Sequence, residues 1–303
     1  MCRSRRRHPR SPFDELIRAF QTHYSFTELK QIDCAQMREK YAAEAEAAVG
    51  AEEFADAIRP MLSELKDVHV WIELPNGIRR ATYRSSFKPN DDQAIVQKKL
   101  KKVLQFDSLG FVGRADNVGV AVITGLPTHA DYDGMIHAMS ELGNVSGFII
   151  DLRRNVGGSE SRAAQIAGLF AVKRTMYART QTRNNRGKIE ETQPRYLEPA
   201  ASDPIGVPVV CLIGPGCISS GEGFALMMKS LDHVTLIGQP TRGASGNPKP
   251  VTLSNHVRVW FSRWLSLETD GTPIESRGVL PDQLIEHVEG RDATFDRALE
   301  LLR

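Results

Sequence analysis

The chain has 303 residues, 41% hydrophobic and 25% charged. That fits a globular chain of about two domains with a core that needs no disulfide staples, and it argues against a disordered, collagen-like or disulfide-dense chain. The 39 basic and 37 acidic residues leave a net charge of +2, which disfavours a general nucleic-acid binder, and no apolar run approaches the ~18 residues of a membrane span.

In chain order, the basic bias is confined to Met1–Arg10. No apolar segment follows it as in a signal peptide, so residues 1–11 are expected to be a disordered basic tail. The sequence as it stands therefore implies a cytoplasmic location; a misassigned start would make it periplasmic or secreted. Residues 12–66 read as helical. Leu16, Ile17, Phe20 and Tyr24 share one face, and Phe54, Ile58, Met61, Leu62 and Leu65 share another. Pro60 predicts a kink or restart in the second of these. Val68, Val70, Ile72 and Leu74 then alternate with His69, Trp71 and Glu73, which predicts a strand over 68–74 closed by a turn at Pro75-Asn76-Gly77. The 42 residues from 76 to 117 are polar and show no clear period.

From Gly119 onward, apolar runs alternate with helical segments. Strands are expected at 120–123, 148–152, 209–213 and 234–237, and helices at 131–142, 161–172, 222–231 and 293–302. Such alternation predicts crossover connections and a largely parallel sheet. Residues 173–208 are rich in Arg and Gln and show no core face. The expected division is a helical domain over 1–75 and an α/β core over 76–303.

Two strand-to-helix junctions could carry chemistry. Asp151 to Ser159 ends a buried strand in Gly157-Gly158, whose backbone N–H groups can face a ligand unobstructed, or can form an ordinary turn. Gly214 to Gly223 contains Ser219-Ser220-Gly221-Glu222, the pattern of a capping box. It also puts a serine hydroxyl in the positive field of a helix N-terminus, which suits a nucleophile. Among the histidines, His69 stands out only by position; His129, His233 and His256 have weaker surroundings. Glu275 sits in a turn-rich segment, where it could orient an imidazole or remain a solvated charge. The four cysteines, Cys2, Cys34, Cys211 and Cys217, form no CxxC pair. There is no HExxH, Walker loop, Rossmann fingerprint or GxSxG elbow, so neither a metal nor a cofactor is expected.

Five segments in a fixed order give these signals a common frame: Leu62 to His69, Gly147 to Gly158, Ile218 to Phe224, Ile237 to Gly243, and Pro273 to Asp282. In that order the chain resembles the S41 peptidases, the family of C-terminal processing peptidases and the tricorn core protease. The resemblance implies an α/β fold with a ClpP/crotonase-like spiral core behind the small helical domain. It places the nucleophile at Ser219, the base at His69 and the orienting acid at Glu275. The oxyanion hole falls on the N–H of Ser220 with that of Gly157 or Gly158. Two departures matter. Ala244 stands where the Ser/Lys branch carries its lysine, and Lys249 is off register, so the histidine branch is the match; there, Val68 replaces the serine that precedes the histidine. The 76–117 segment is also too short for the PDZ domain that captures substrate tails. The expected function is a serine peptidase acting on peptides or unfolded protein segments, with homo-oligomers known in the family. The alternative is a non-catalytic module of the same fold that binds an apolar ligand or peptide in the interdomain cleft; a crotonase-like acyl-CoA enzyme fits Ser-Ser-Gly-Glu poorly.

Overall fold

A computed structural model describes residues 11–200 and 202–303. The expected basic tail, apart from Ser11, lies outside the described residues. Up to Ser85 the elements are α1 (Pro12–His23), α2 (Cys34–Ala47), α3 (Ala51–Glu64), β1 (Trp71–Glu73) and β2 (Arg79–Ala81). Next come α4 (Gln93–Lys98), β3 (Lys101–Phe106), β4 (Gly110–Ala115), β5 (Val118–Ile123), α5 (Tyr132–Ser140), β6 (Gly147–Asp151) and α6 (Glu160–Ala167). They are followed by β7 (Thr175–Thr182), β8 (Gln193–Leu197), β9 (Val209–Ile213), α7 (Ser220–Lys229) and β10 (Val234–Gly238). The chain ends with β11 (Lys249–Thr252), β12 (Arg258–Phe261), β13 (Trp264–Leu267), β14 (Gln283–Leu284) and α8 (Ala293–Leu301). No helix of the described residues is long and apolar enough to cross a membrane.

The chain forms two compact units. The first takes the chain up to Ser85 together with Gln181–Glu191 and Gly246–Leu265, so the N-terminal helices are completed by two later segments. Helix α1 begins where the Ser11 hydroxyl accepts the Asp14 N–H at 3.1 Å, with Pro12 at its first position, a placement that needs no amide donor. Its apolar face, Phe13, Leu16, Ile17 and Phe20, is buried. Phe20 stacks on Phe261 of β12 at 4.6 Å between ring centroids, and Tyr24 meets the edges of Phe26 and Phe261. Strands β11, β12, β1 and β2 form an antiparallel sheet in that order. Helix α3 runs through Pro60 to Glu64 without restarting. It stops where Lys66 takes a left-handed φ of +46°. The expected strand over 68–74 is shorter, Trp71–Glu73, because 67–70 is a turn in which the Val70 N–H donates to the Asp67 carbonyl.

The second unit holds a seven-stranded sheet in the order β14-β10-β9-β6-β5-β4-β3. The five strands from β14 to β5 are parallel, and β4 and β3 add antiparallel pairs. Every residue of β5, β6 and β9 is buried, as expected of strands covered on both faces. The period of two divides their side chains. Phe148, Ile150, Cys211 and Ile213 join the core with Phe224 and Met228 of α7, whereas Ile149, Val210 and Leu212 pack with Phe295 and Ala298 of α8. The 76–117 segment supplies β2, α4, β3 and β4, and 173–208 supplies β7 and β8, pairings with no clear trace in the sequence. Helix α6 ends at Ala167, short of the expected 172. The described cysteines, Cys34, Cys211 and Cys217, are free and buried.

One buried ion cluster fixes the chain where it leaves β6. Arg153, 1% exposed, donates from Nε and Nη2 to Asp151 at 3.0 and 2.7 Å. Its Nη1 donates to Asp292 at 2.7 Å and to the Asn90 carbonyl at 3.1 Å. Replacing the arginine alone strands two buried carboxylates. Arg153→Met should therefore lower stability in urea unfolding by about 3–5 kcal/mol; a loss below about 1 kcal/mol would show that the carboxylates find other partners or protonate cheaply.

Candidate active site

Strands β6 and β9 are parallel neighbours, so their carboxyl ends deliver two loops to one edge of the sheet, where open α/β sheets bind ligands. The loop after β9, Gly214 to Ile218, leads into Ser219, which precedes the first residue of α7. Ser219 has φ +60° and ψ −127°, a conformation that a side-chain-bearing residue holds only under constraint. The constraint is visible. The Ser219 N–H donates to the Ala244 carbonyl at 2.9 Å, the Ser219 carbonyl accepts from Glu222 at 2.9 Å, and the Ile218 N–H donates to the Asn155 carbonyl at 3.0 Å. The Ser219 side chain makes no capping bond, so the hydroxyl half of a capping box is absent. The Glu222 carboxyl keeps the other half, facing the Ser219 backbone N–H. It is fully buried and accepts from the Thr241 hydroxyl at 2.7 Å and from the Gly243 and Ala244 N–H groups at 2.6 and 2.9 Å. Burial pushes its carboxyl up to about 7, against the donors that favour the ionised form.

The loop after β6 packs onto that serine. A Cβ on Gly157 (φ +81°) would stand 2.7 Å from Ser219 Cβ and 3.1 Å from the Ser220 nitrogen. Only glycine fits this close to Ser219 and the Ser220 nitrogen. That N–H, on the first residue of α7, has no acceptor within the helix. The Gly157 N–H itself donates to Asn155 Oδ1 at 2.9 Å. Gly158 (φ +133°) lies in a parallel bridge to Leu126. The bridge uses the Gly157 carbonyl and the Ser159 N–H, while the Gly158 carbonyl accepts from the Ser220 hydroxyl at 2.7 Å. Asn155, whose place in the motif carries no chemical signal of its own, ties the two loops together. It is fully buried, donates to the Ile123 carbonyl at 3.0 Å, and its Oδ1 and main chain lie where a Cβ on Gly221 would fall.

Glu275 is buried at 7% exposure and starts the turn that braces the Ala244 segment: the Ser276 N–H donates to the Gly243 carbonyl at 2.7 Å. Ser219, Ser220, Gly157, Gly158 and Glu275 thus belong to the second unit. Lys249, already discounted, lies in β11 of the first.

His69 also belongs to the first unit, in the turn between α3 and β1. It is the only buried histidine among the described residues, at 8% exposure; His129 and His256 are exposed, and His233 is half-buried. Burial pushes the imidazole below its ordinary value, Asp67 opposes that shift and Lys30 adds to it. Asp67, 1% exposed, accepts the His69 backbone N–H at 2.8 Å. An Asp two residues before a histidine is the sequence mark of such a turn.

The chain matches the model of peptidase family S41 over residues 117–285 and that of the tricorn protease C1 domain over residues 5–63. The carboxy-terminal processing protease CtpA of Bacillus subtilis is 25% identical over 170 residues, 55% of this chain and 34% of that protein. The carboxyl-terminal-processing protease of Synechocystis sp. is 27% identical over 177 residues, 55% of this chain and 39% of that protein. The chain thus spans well under half the length of these curated relatives. A solved structure of a candidate peptidase from Parabacteroides merdae is 24% identical with a TM-score of 0.82, covering 98% of this chain and 97% of the other. At that identity the likeness shows a shared mixed α/β fold.

The Glu222 carboxyl makes a testable signature. Its ordinary value is 4.5 and its folded value about 7. Between these the native chain keeps a proton that the unfolded chain has released, so stability falls as pH rises through the window, by about 3 kcal/mol. Glu222→Gln cannot ionise, and its urea stability should change correspondingly less between pH 4.5 and 7.5. An identical slope in variant and wild type would count against a protonated carboxyl at this position.

Proposed function

Because the chain belongs to peptidase family S41, we propose that it is a serine peptidase that hydrolyses peptides or unfolded protein segments through an acyl-enzyme. Ser219 Oγ attacks the substrate carbonyl while His69 accepts the hydroxyl proton. The carbonyl oxygen becomes an oxyanion held by the Ser220 and Gly158 N–H groups. His69 then gives its proton to the departing amine, and an acyl-Ser219 ester remains. Water, deprotonated by the same imidazole, attacks the ester; the imidazolium returns that proton to Ser219 Oγ as the acid leaves. Glu275 is the acid that the family resemblance assigns to orient the imidazole. Gly157 contributes space rather than a donor, since its N–H is taken by Asn155.

The observation that carries this reading is the Ser219 backbone. A serine held at φ +60° at a helix N-terminus, with its hydroxyl not spent on capping, is costly by about 1–3 kcal/mol and is hard to explain as packing alone. The burial of His69 supports the base assignment, because it keeps the imidazole neutral at physiological pH.

A fluorophosphonate probe should label the wild type and leave Ser219→Ala unlabelled, with circular dichroism confirming that the variant is folded. Labelling that persists in Ser219→Ala would remove Ser219 as nucleophile. An unlabelled wild type that also leaves a denatured protein substrate intact would favour the non-catalytic binding module. For the base, His69→Ala should lower kcat by about 100- to 10,000-fold. The neutral imidazole is the active form and its value is pushed down, so kcat/KM should fall only as pH drops below about 6.5. An acid limb centred well above that value would exclude a buried His69 as the base.

A further inference from the structure

We propose that Asp67 is the positioning residue of the His69 ring: its Oδ1 accepts the Nδ1–H and leaves Nε2 as the free basic nitrogen. The assignment rests on the peptidase reading above and replaces Glu275 in the orienting role.

Asp67 offers about four acceptor positions, two on each oxygen. Oδ2 accepts from the Tyr24 hydroxyl at 3.1 Å and the Ser262 hydroxyl at 2.8 Å, and so is filled. Oδ1 accepts from the His69 backbone N–H at 2.8 Å and has one position left. His69 Nδ1 lies 4.0 Å from that same oxygen. It is buried and has no hydrogen-bond partner among the described residues. An unfilled acceptor on a carboxylate with no exposed side-chain surface thus faces an unpartnered ring nitrogen. Leaving a buried ring nitrogen unsatisfied is costly. A small rotation of the imidazole closes the gap, and catalytic hydrogen bonds that are long in an unliganded protein commonly tighten when substrate binds.

The local chain makes the pairing durable. Asp67, Val68 and His69 lie in one turn, and Tyr24, Ser262 and Asp67 all belong to the same compact unit. Two hydroxyls hold Oδ2, which leaves Oδ1 on the side of the histidine. This also answers the Val68 departure. A relay serine beside the histidine is not needed when a carboxylate two residues back already reaches the ring. The charged groups that act on His69 are Asp67 and Lys30, whose Nζ is held by the Leu65 and Lys66 carbonyls at 3.2 Å; Tyr24 is the remaining titratable side chain bonded to this carboxylate.

The decisive measurement uses the wild type and no activity assay. ¹⁵N–¹H correlations of the histidine rings should show His69 as the Nδ1–H tautomer; a ring protonated on Nε2 overturns the proposal. In Asp67→Asn that preference should be lost, the acid limb of kcat/KM should move to lower pH, and kcat should fall about 100-fold or more with KM little changed. Ser262→Ala, which removes one of the two hydroxyl contacts to Oδ2, should change kcat by less than about 10-fold. Glu275→Gln should leave the tautomer and the acid limb in place. If Glu275→Gln moves them and Asp67→Asn does not, the orienting carboxylate is Glu275. The tautomer is read whether or not Ser219 reacts with a fluorophosphonate, so the two readings fail separately.

Discussion

The backbone of Ser219 is the constraint on which the second unit is organised. A residue with a side chain does not rest at φ +60°, ψ −127° by itself. It is held by a closed path of hydrogen bonds: the Ser219 N–H to the Ala244 carbonyl, the Ala244 N–H to the Glu222 carboxyl, and the Glu222 N–H back to the Ser219 carbonyl. Each link explains a residue choice nearby. Glu222 is buried because it must reach two main-chain donors, Gly157 lacks a side chain because Ser219 Cβ and the Ser220 nitrogen fill that space, and Asn155 is buried because it ties the two loops.

The sheet supplies the stiffness for this arrangement. Strands β6 and β9 are buried on both faces and paired in register from Phe148–Val209 to Asp151–Leu212. Their carboxyl ends therefore cannot shift independently, and the loops they carry inherit that precision. Arg153 extends the rigidity one step beyond β6 by tying the chain to Asp151 and to Asp292, the residue that caps α8. The first unit solves a different problem by a local route. The turn that presents His69 is stabilised by the side chain of Asp67, which is itself anchored by hydroxyls from α1's C-cap and the segment after β12.

Much of this was legible in the sequence, for physical reasons. The apolar runs of β5, β6, β9 and β10 read directly, because a doubly covered parallel strand needs no alternation. The two junction loops could be placed because each joins such a run to a helix. What escaped notice was either half-exposed or carried by main chain. In β3 and β8 most side chains are exposed, so their pairing leaves little period to detect. Ala244 reads as the mere absence of a basic group, yet its carbonyl and N–H are two links of the path around Ser219. The Ser-x-x-Glu pattern suggested a capping box; the Ser219 hydroxyl makes no cap, and the Glu222 carboxyl takes three donors from a buried loop in addition to facing the Ser219 N–H. The alternation over 68–74 suggested a strand because a turn and a strand can bury the same positions, and only the Asp67 side chain distinguishes them.

The most direct test of the central claim compares the unfolding free energies of Ser219→Gly and Ser219→Ala. At an ordinary position glycine is the less stable choice by roughly 0.5–1 kcal/mol, because it loses more backbone freedom on folding. If the main chain at 219 is held in a conformation that side chains resist, the order reverses and the glycine variant is more stable by about 1 kcal/mol or more. A glycine variant less stable than the alanine variant by the ordinary margin would mean that the residue is relaxed, and the constraint assigned to Ser219 would not exist.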